Sequence, residues 1–213
     1  MNKGLFLQNV EISNGAQPLL TLSHDIAPGE VLTIMGPSGV GKSTLLAYIT
    51  GTLSADFAAS GRIVLDGHDI THALAHRRHV GILFQDDLLF PHLSVAANLA
   101  FGLAPGGTRE ERRKKIAEAL AEVDLAGFED RDPATLSGGQ KARVALMRML
   151  LSEPCALLLD EPFSRLDTAL RAQVRDLVFA RAKARSLPVL MVTHDAEDAR
   201  AAGGEIITLE VQS

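Results

Sequence analysis

The sequence contains no tryptophan, one tyrosine and one cysteine, and aromatic residues make up only 4% of it. With a hydrophobic content of 46% and so few rings, the core must be built from Leu, Val, Ile and Ala, as in α/β folds with buried parallel strands. A lone Cys155 excludes an internal disulfide and suits a reducing compartment. No run approaches the ~18 apolar residues of a membrane span. Met1-Asn2-Lys3-Gly4 leads into a strand-like run rather than a secretory leader. A basic excess is missing as well: 21 Lys and Arg against 26 Asp and Glu give a net charge of −5, which argues against a nucleic-acid partner. The expectation is a cytosolic protein whose membrane role, if it has one, comes through a partner. At 213 residues the chain is long enough for one α/β domain with a smaller appended lobe.

What is present is organised around Gly36, Pro37, Ser38, Gly39, Val40, Gly41, Lys42, Ser43 and Thr44, which follow the apolar run 31–35 and precede Leu45-Leu46-Ala47. Strand, glycine loop and helix in that order fit the phosphate-binding loop G-x-x-x-x-G-K-[ST]. Its backbone N–H groups turn inward around phosphate oxygens, backed by the positive end of the helix. Lys42 would reach the β- and γ-phosphates, and the Ser43 hydroxyl would ligate a Mg²⁺ ion bridging them. The loop alone leaves open a small-molecule kinase, a switch GTPase and a motor ATPase.

Segments 5–12 and 19–26 read as strands about the Asn14-Gly15 turn, an opening antiparallel β lobe. The helix after the loop should stop at Gly51, with a loop over 52–60 and a short strand within 61–67 beyond it. His68, His72, His76 and His79 would share one face only on a continuous helix. With no cysteine nearby and a turn at Gly67, they read as a solvated connector rather than a closed zinc set. The run 80–84 ends at Gln85, as a strand feeding a polar residue to the ligand edge of an open sheet would. Thr108 and Glu111 form a capping box, with Ile116, Leu120 and Val123 on one helix face and the basic run 112–115 read as solvated.

Leu136-Ser137-Gly138-Gly139-Gln140 precedes a helical stretch over 141–151. Two glycines, a hydroxyl and a helix N-terminus form a second candidate anion site. One nucleotide does not need two cradles in a single subunit, so a dimer in which this element closes over the partner's phosphates is the economical solution. Segment 155–159 is a buried strand ending in Asp160 and Glu161. Asp160 would hold the Mg²⁺ shell, and Glu161 would orient or deprotonate the attacking water. An amphipathic helix carrying Leu170, Val174, Leu177 and Val178 comes next, and the run 188–192 delivers Thr193-His194-Asp195, with His194 a candidate γ-phosphate contact.

These residues resemble the ATP-binding subunits of ABC transporters, motif by motif and in family order over essentially the whole chain. Residues 36–44 match the P-loop, Gln85 the Q-loop, 136–140 the LSGGQ signature, 157–161 the strand bearing the catalytic glutamate, 164–167 the D-loop and His194 the switch histidine. The resemblance implies a P-loop ATPase of the ABC type. Its mainly parallel core sheet is flanked by helices, with an N-terminal antiparallel β lobe and a helical signature lobe over about residues 86–153. The whole chain would be one such domain, with no C-terminal regulatory domain. It also implies catalytic roles for Glu161, His194 and Gln85, phosphate contacts from Ser137, Gly138, Gly139 and Gln140, and Mg²⁺ ligation by Ser43, Gln85 and Asp160. The expected cofactors are ATP and Mg²⁺.

The expected partners are a second copy on ATP binding, two membrane permease subunits and, indirectly, an extracytoplasmic solute-binding protein. The place of work would be the cytoplasmic face of the cell membrane. The stretch from Phe84 to Leu99 looks like importer subunits for thiamine, iron or polyamines, while an exporter or lipoprotein-release ATPase stays open as the alternative. Repair ATPases of the same superfamily carry a long coiled coil, and no sustained heptads occur here. Besides the regulatory domain it is expected to lack, the sequence departs from the family in its base contact. Asn14-Gly15 stands where an aromatic ring usually stacks on adenine, leaving Phe6 and Tyr48 as the rings to weigh.

Overall fold

The computed structural model describes residues 3–209. Met1 and Asn2, at the start of the stretch read as lacking a leader, and 210–213 at the end of the chain lie outside the described residues. The described parts divide into two units. One is drawn from Met1–Ile82, Cys155–Glu161 and Phe179–Ser213, the other from Leu83–Pro154 and Pro162–Val178.

The first unit holds two sheets. β1 (Leu5–Asn14) pairs antiparallel with β2 (Gln17–Ile26) on one side and β4 (Phe57–Leu65) on the other, and β5 (His68–Asp69) adds to β4. The apolar residues of β1 alternate as Leu5, Leu7 and then Val10, Ile12. Strict alternation breaks between 7 and 10, and there the register shifts and Asn9 takes a φ of 48°. One extra residue in the strand returns Val10 and Ile12 to the buried face.

The second sheet has the order β6-β7-β8-β3-β9, from β6 (Val80–Leu83), β7 (Ala156–Asp160), β8 (Val189–Thr193), β3 (Val31–Met35) and β9 (Glu205–Thr208). Every residue of β8, and all of β7 but Asp160, is buried, which is why both read as unbroken apolar runs rather than alternating ones. The parallel register sets Met35 beside Thr193 and Asp160 beside Val192, so the chain leaves β3, β7 and β8 at one and the same sheet edge. Leu5, Ile12, Leu45, Ile49, Leu158 and Val192 belong to a single core joining both sheets and α1 (Lys42–Thr50). Gly51 ends α1 with a φ of 77°. The buried guanidinium of Arg78 completes that end by donating to the carbonyls of Tyr48 and Ile49, as well as to those of Thr71 and Ala73. α6 (Ala196–Ala202) begins at Asp195, whose carboxylate accepts from the N–H groups of Glu197 and Asp198.

In the second unit, α2 (Val95–Gly102) starts on Ser94, and α3 (Arg109–Ala121) carries the complete Thr108–Glu111 capping box with Ile116, Ala119 and Leu120 buried. α4 (Gly138–Leu150) packs on α2, and the part of α5 (Thr168–Ala184) up to Val178 buries Val174 and Val178.

Three expectations are corrected. The segment 57–60 is strand rather than loop, because Phe57 to Ser60 pair with Asn14 to Glu11 of β1; backbone pairing overrides the weak preference of Ala58-Ala59-Ser60. The signature helix begins at Gly138 rather than Lys141, because Ser137 and Gln140 form a capping box and draw both glycines into the first turn. Arg112 is not simply solvated, since its guanidinium donates to the carbonyls of Ala100, Ala104 and Gly106. The four histidines read as a solvated connector are all exposed, with His68 on β5 and His76 in a 3₁₀ turn (Ala75–Arg77), so they share no helix face.

Candidate functional site

The edge beyond β3, β7 and β8 gathers the loop 36–44, Asp160, Glu161 and His194. Gly41 is the N-cap of α1 at a φ of 98°, left-handed backbone that a glycine adopts without strain. It lets the N–H groups at the helix start face the loop. Lys42 is buried, its ammonium donating to the carbonyls of Gly36 (2.6 Å) and Pro37 (2.9 Å), so its charge is held across the loop. Ser43 Oγ donates to Asp160 Oδ1 at 3.1 Å, joining the loop to the tip of β7. Burial pushes the Asp160 carboxyl above its usual range, Glu161 adds to that shift, and the Ser43 bond and Lys42 oppose it.

Glu161 is the next residue, at a φ of 46°, its N–H bonded to the Val192 carbonyl at 3.0 Å. Its Oε1 lies 3.0 Å from His194 Nδ1. A cavity of about 370 Å³ is lined by Ser38, Gly39, Gly41, Lys42, Ser43, Thr44 and Glu161 together with Asn14, Leu19 and Phe57 of the antiparallel sheet. A larger cleft of about 1120 Å³ in the same unit, bordered by His24, Glu30, Lys183 and Glu205, contains none of the predicted site residues.

The remaining predicted residues lie in the second unit. There Gln85 and Gly138 line a common cleft of about 230 Å³ with Asp86, Asp87, Lys141 and Arg165. Asp86 is ion-paired with Arg165, which ties the segment after Gln85 to the stretch matching the D-loop. Arg148 donates to the carbonyls of Asp87 and Leu88 and lies 5.4 Å from the Phe90 ring centre, fixing the same segment from α4. Ser137 Oγ accepts from Gln140 N–H, and the Gln140 side chain accepts from Ser137 N–H, so both are committed to the helix start. A Cβ on Gly139 would strike the Leu170 side chain.

Reading the sequence alone missed Phe57, Arg148 and the Asp86–Arg165 pair. For Phe57 the only signal was a ring in an otherwise small and polar stretch. For the pair it was two opposite charges 79 positions apart, which no local pattern connects.

A phosphate loop between β3 and α1, a histidine at the end of the adjacent parallel strand β8 and acidic residues at the end of β7 beyond it define a P-loop nucleotide hydrolase. The ABC transporter family model matches residues 19–164. Over 195 residues the chain is 46% identical to the uncharacterized ABC transporter ATP-binding protein YnjD of Escherichia coli, covering 91% of this chain and 90% of that one. It is 43% identical over 211 residues to the thiamine import ATP-binding protein ThiQ of a Jannaschia species, covering 97% and 89%. It is also 41% identical over 210 residues to the Fe(3+) ions import ATP-binding protein FbpC of Pasteurella multocida; there it covers 98% of itself but 59% of the relative's length. The chain belongs to the ABC transporter family, as an ATP-binding subunit that hydrolyses ATP.

Proposed function

We propose that this ATPase drives solute uptake as a homodimer that closes head to tail on ATP and docks on two permease subunits at the cytoplasmic face of the membrane. An extracytoplasmic binding protein would deliver the solute. The importer reading is supported by the names of relatives matched over nearly the whole chain, the thiamine and iron import proteins. Among the described residues no helix is long and apolar enough to cross a membrane, so the path for the solute would be supplied by partners. The second unit exposes Phe101 (70%), Leu88 (56%) and Phe84 (45%), large apolar side chains of the kind that mark a protein contact. Arg148 and the Phe90 ring, which stacks edge-on against Phe101 at 4.7 Å, hold two of them in place.

The observation that carries the dimer is the difference between the two signature glycines. Gly139 is explained inside its own chain by Leu170, whereas among the described residues nothing lies within 4 Å of a Cβ built on Gly138. A helical glycine costs about 1 kcal/mol against alanine. Its bare N-terminal turn suits the close approach of a phosphate held by a partner's loop.

Ser43 and Asp160 are hard oxygen donors 3.1 Å apart, which fits Mg²⁺ bound through a hydroxyl, phosphate oxygens and water. When bound, that ion would neutralise charge developing on the phosphates. Lys42 would hold the β- and γ-phosphates, Glu161 would orient the attacking water and take its proton, and His194 would fix the Glu161 carboxylate and contact the γ-phosphate.

Mixing Gly138→Asp with Lys42→Ala tests the composite site. Each variant alone should be inactive, and the mixture should recover phosphate release from the one intact site of each mixed dimer. Two folded variants whose mixture stays inactive would contradict the shared site.

A further inference from the structure

The cavity over the P-loop is lined by two chemically different groups of residues. One consists of phosphate-reading groups: the N–H groups of the loop, Lys42 and Ser43. The other is Asn14, Leu19 and Phe57, and among the described residues Phe57 is the only ring that lines the cavity. Of the two rings weighed from the sequence, Tyr48 is 9% exposed and spends its hydroxyl on the Gly61 carbonyl at 3.2 Å. Phe6 pairs with Val64 and Asp25 near the far ends of β2 and β4 and does not border the cavity.

Phe57 is the first residue of β4 and lies directly opposite Asn14, the last of β1, so both side chains leave the same face of the sheet. The turn before it is fixed by Phe57 N–H donating to the Ser54 carbonyl at 3.1 Å. Leu19 lies against the loop, since a Cβ on Gly41 would come within 3.4 Å of the Leu19 Cβ. A half-buried ring therefore lines the same open cavity as the phosphate loop. That combination suits a molecule that carries both a flat aromatic group and phosphates.

We propose that Phe57 is the platform on which the nucleotide base stacks, so that the ring the Asn14-Gly15 turn lacks is supplied across the β1–β4 ladder by the neighbouring strand. The proposal rests on ATP binding by this chain and adds the residue that holds the base. Stacking uses the π face that every base presents, so Phe57 contributes to ATP and GTP alike. The Asn14 side chain beside it carries both a donor and an acceptor and can pair with the edge of either purine.

Binding of ATP, GTP and inorganic tripolyphosphate, each with Mg²⁺, to the purified chain and its variants tests the assignment. Phe57→Ala should weaken both nucleotides by about ten- to a hundredfold, the range found for losing one base-stacking ring. It should leave tripolyphosphate affinity unchanged, because that probe has no base. Phe57→Tyr should bind as the parent does, and Phe57→Leu, which keeps apolar bulk without a π face, should fall with Phe57→Ala. Unchanged ATP affinity in Phe57→Ala overturns the proposal, as does a loss shared equally by tripolyphosphate, which would make Phe57 a support of the loop. A parent chain that binds neither ATP nor tripolyphosphate would overturn the nucleotide-site reading itself and the proposal with it.

Discussion

His194 Nδ1 stands 3.0 Å from Glu161 Oε1, and the Glu161 N–H is bonded to the carbonyl of Val192, two residues before that histidine. The end of β8 therefore grips Glu161 twice, by backbone and by side chain. That double hold explains how Glu161 keeps a φ of 46°, a left-handed conformation that costs a non-glycine residue about 1–2 kcal/mol. Backbone strain is retained where it aims a carboxylate into the cavity beside the loop.

His194→Ala removes the side-chain half of that grip without touching the backbone half. Hydrolysis should fall by about a hundredfold or more, the scale of a mispositioned proton acceptor, while ATP affinity stays within about threefold. Steady-state phosphate release alongside equilibrium nucleotide binding checks the split. A drop in affinity matching the drop in rate would place His194 in binding instead.

Asp160 gives a stability prediction with a definite sign. Its folded-state carboxyl is raised by burial, so the ionised form is disfavoured in the native protein. Its contribution is fully present below the ordinary carboxylate range and is lost as pH rises through the raised value. Asp160→Asn should therefore raise the melting temperature of the nucleotide-free protein at pH 7 by a few degrees, the effect of about 1 kcal/mol in a domain of this size. The gain should shrink on acidification, and the variant should lose Mg²⁺-dependent hydrolysis. Thermal melts across pH 4–8 decide it; a lower melting temperature at pH 7 would contradict the sign.

Much of this site was legible because its signals are local. The loop 36–44 is a contiguous pattern, and β7 and β8 are uninterrupted apolar runs that deliver Asp160-Glu161 and His194 at their ends. The capping box at Thr108 is side-chain chemistry between two residues three positions apart. What escaped depends on partners distant in sequence. Phe57 belongs to a strand only because β1 is there to pair with it, and Ala58-Ala59-Ser60 carry little strand preference of their own. Arg112 is absorbed by carbonyls at the end of α2 and beyond, which charge counting cannot foresee. The helical start at Gly138 overrides the breaking tendency of two glycines because Ser137 and Gln140 satisfy each other's backbone groups.

Base selectivity should be weak. The phosphate-reading groups and the Phe57 ring do not distinguish purines, and Asn14 can turn its carboxamide to suit either. GTP should support hydrolysis with a kcat/KM within about tenfold of ATP, a difference below about 1.4 kcal/mol. Parallel kinetics with both nucleotides measure the ratio. A preference for ATP of a thousandfold would require an adenine-specific contact that Asn14, Leu19 and Phe57 do not supply.

The measurement that bears most directly on the whole account is the mass of Glu161→Gln in solution by light scattering, with and without ATP and Mg²⁺, alongside its phosphate release. Glutamine keeps the size and the hydrogen-bonding oxygen of Glu161 but cannot take a proton, so nucleotide should still bind while water attack stops. The account predicts a monomer mass without nucleotide, twice that mass with ATP, and hydrolysis reduced to near background. A Glu161→Gln chain that hydrolyses ATP at the parent's rate, and does so as a monomer, would contradict both the role of Glu161 and the site shared between two copies.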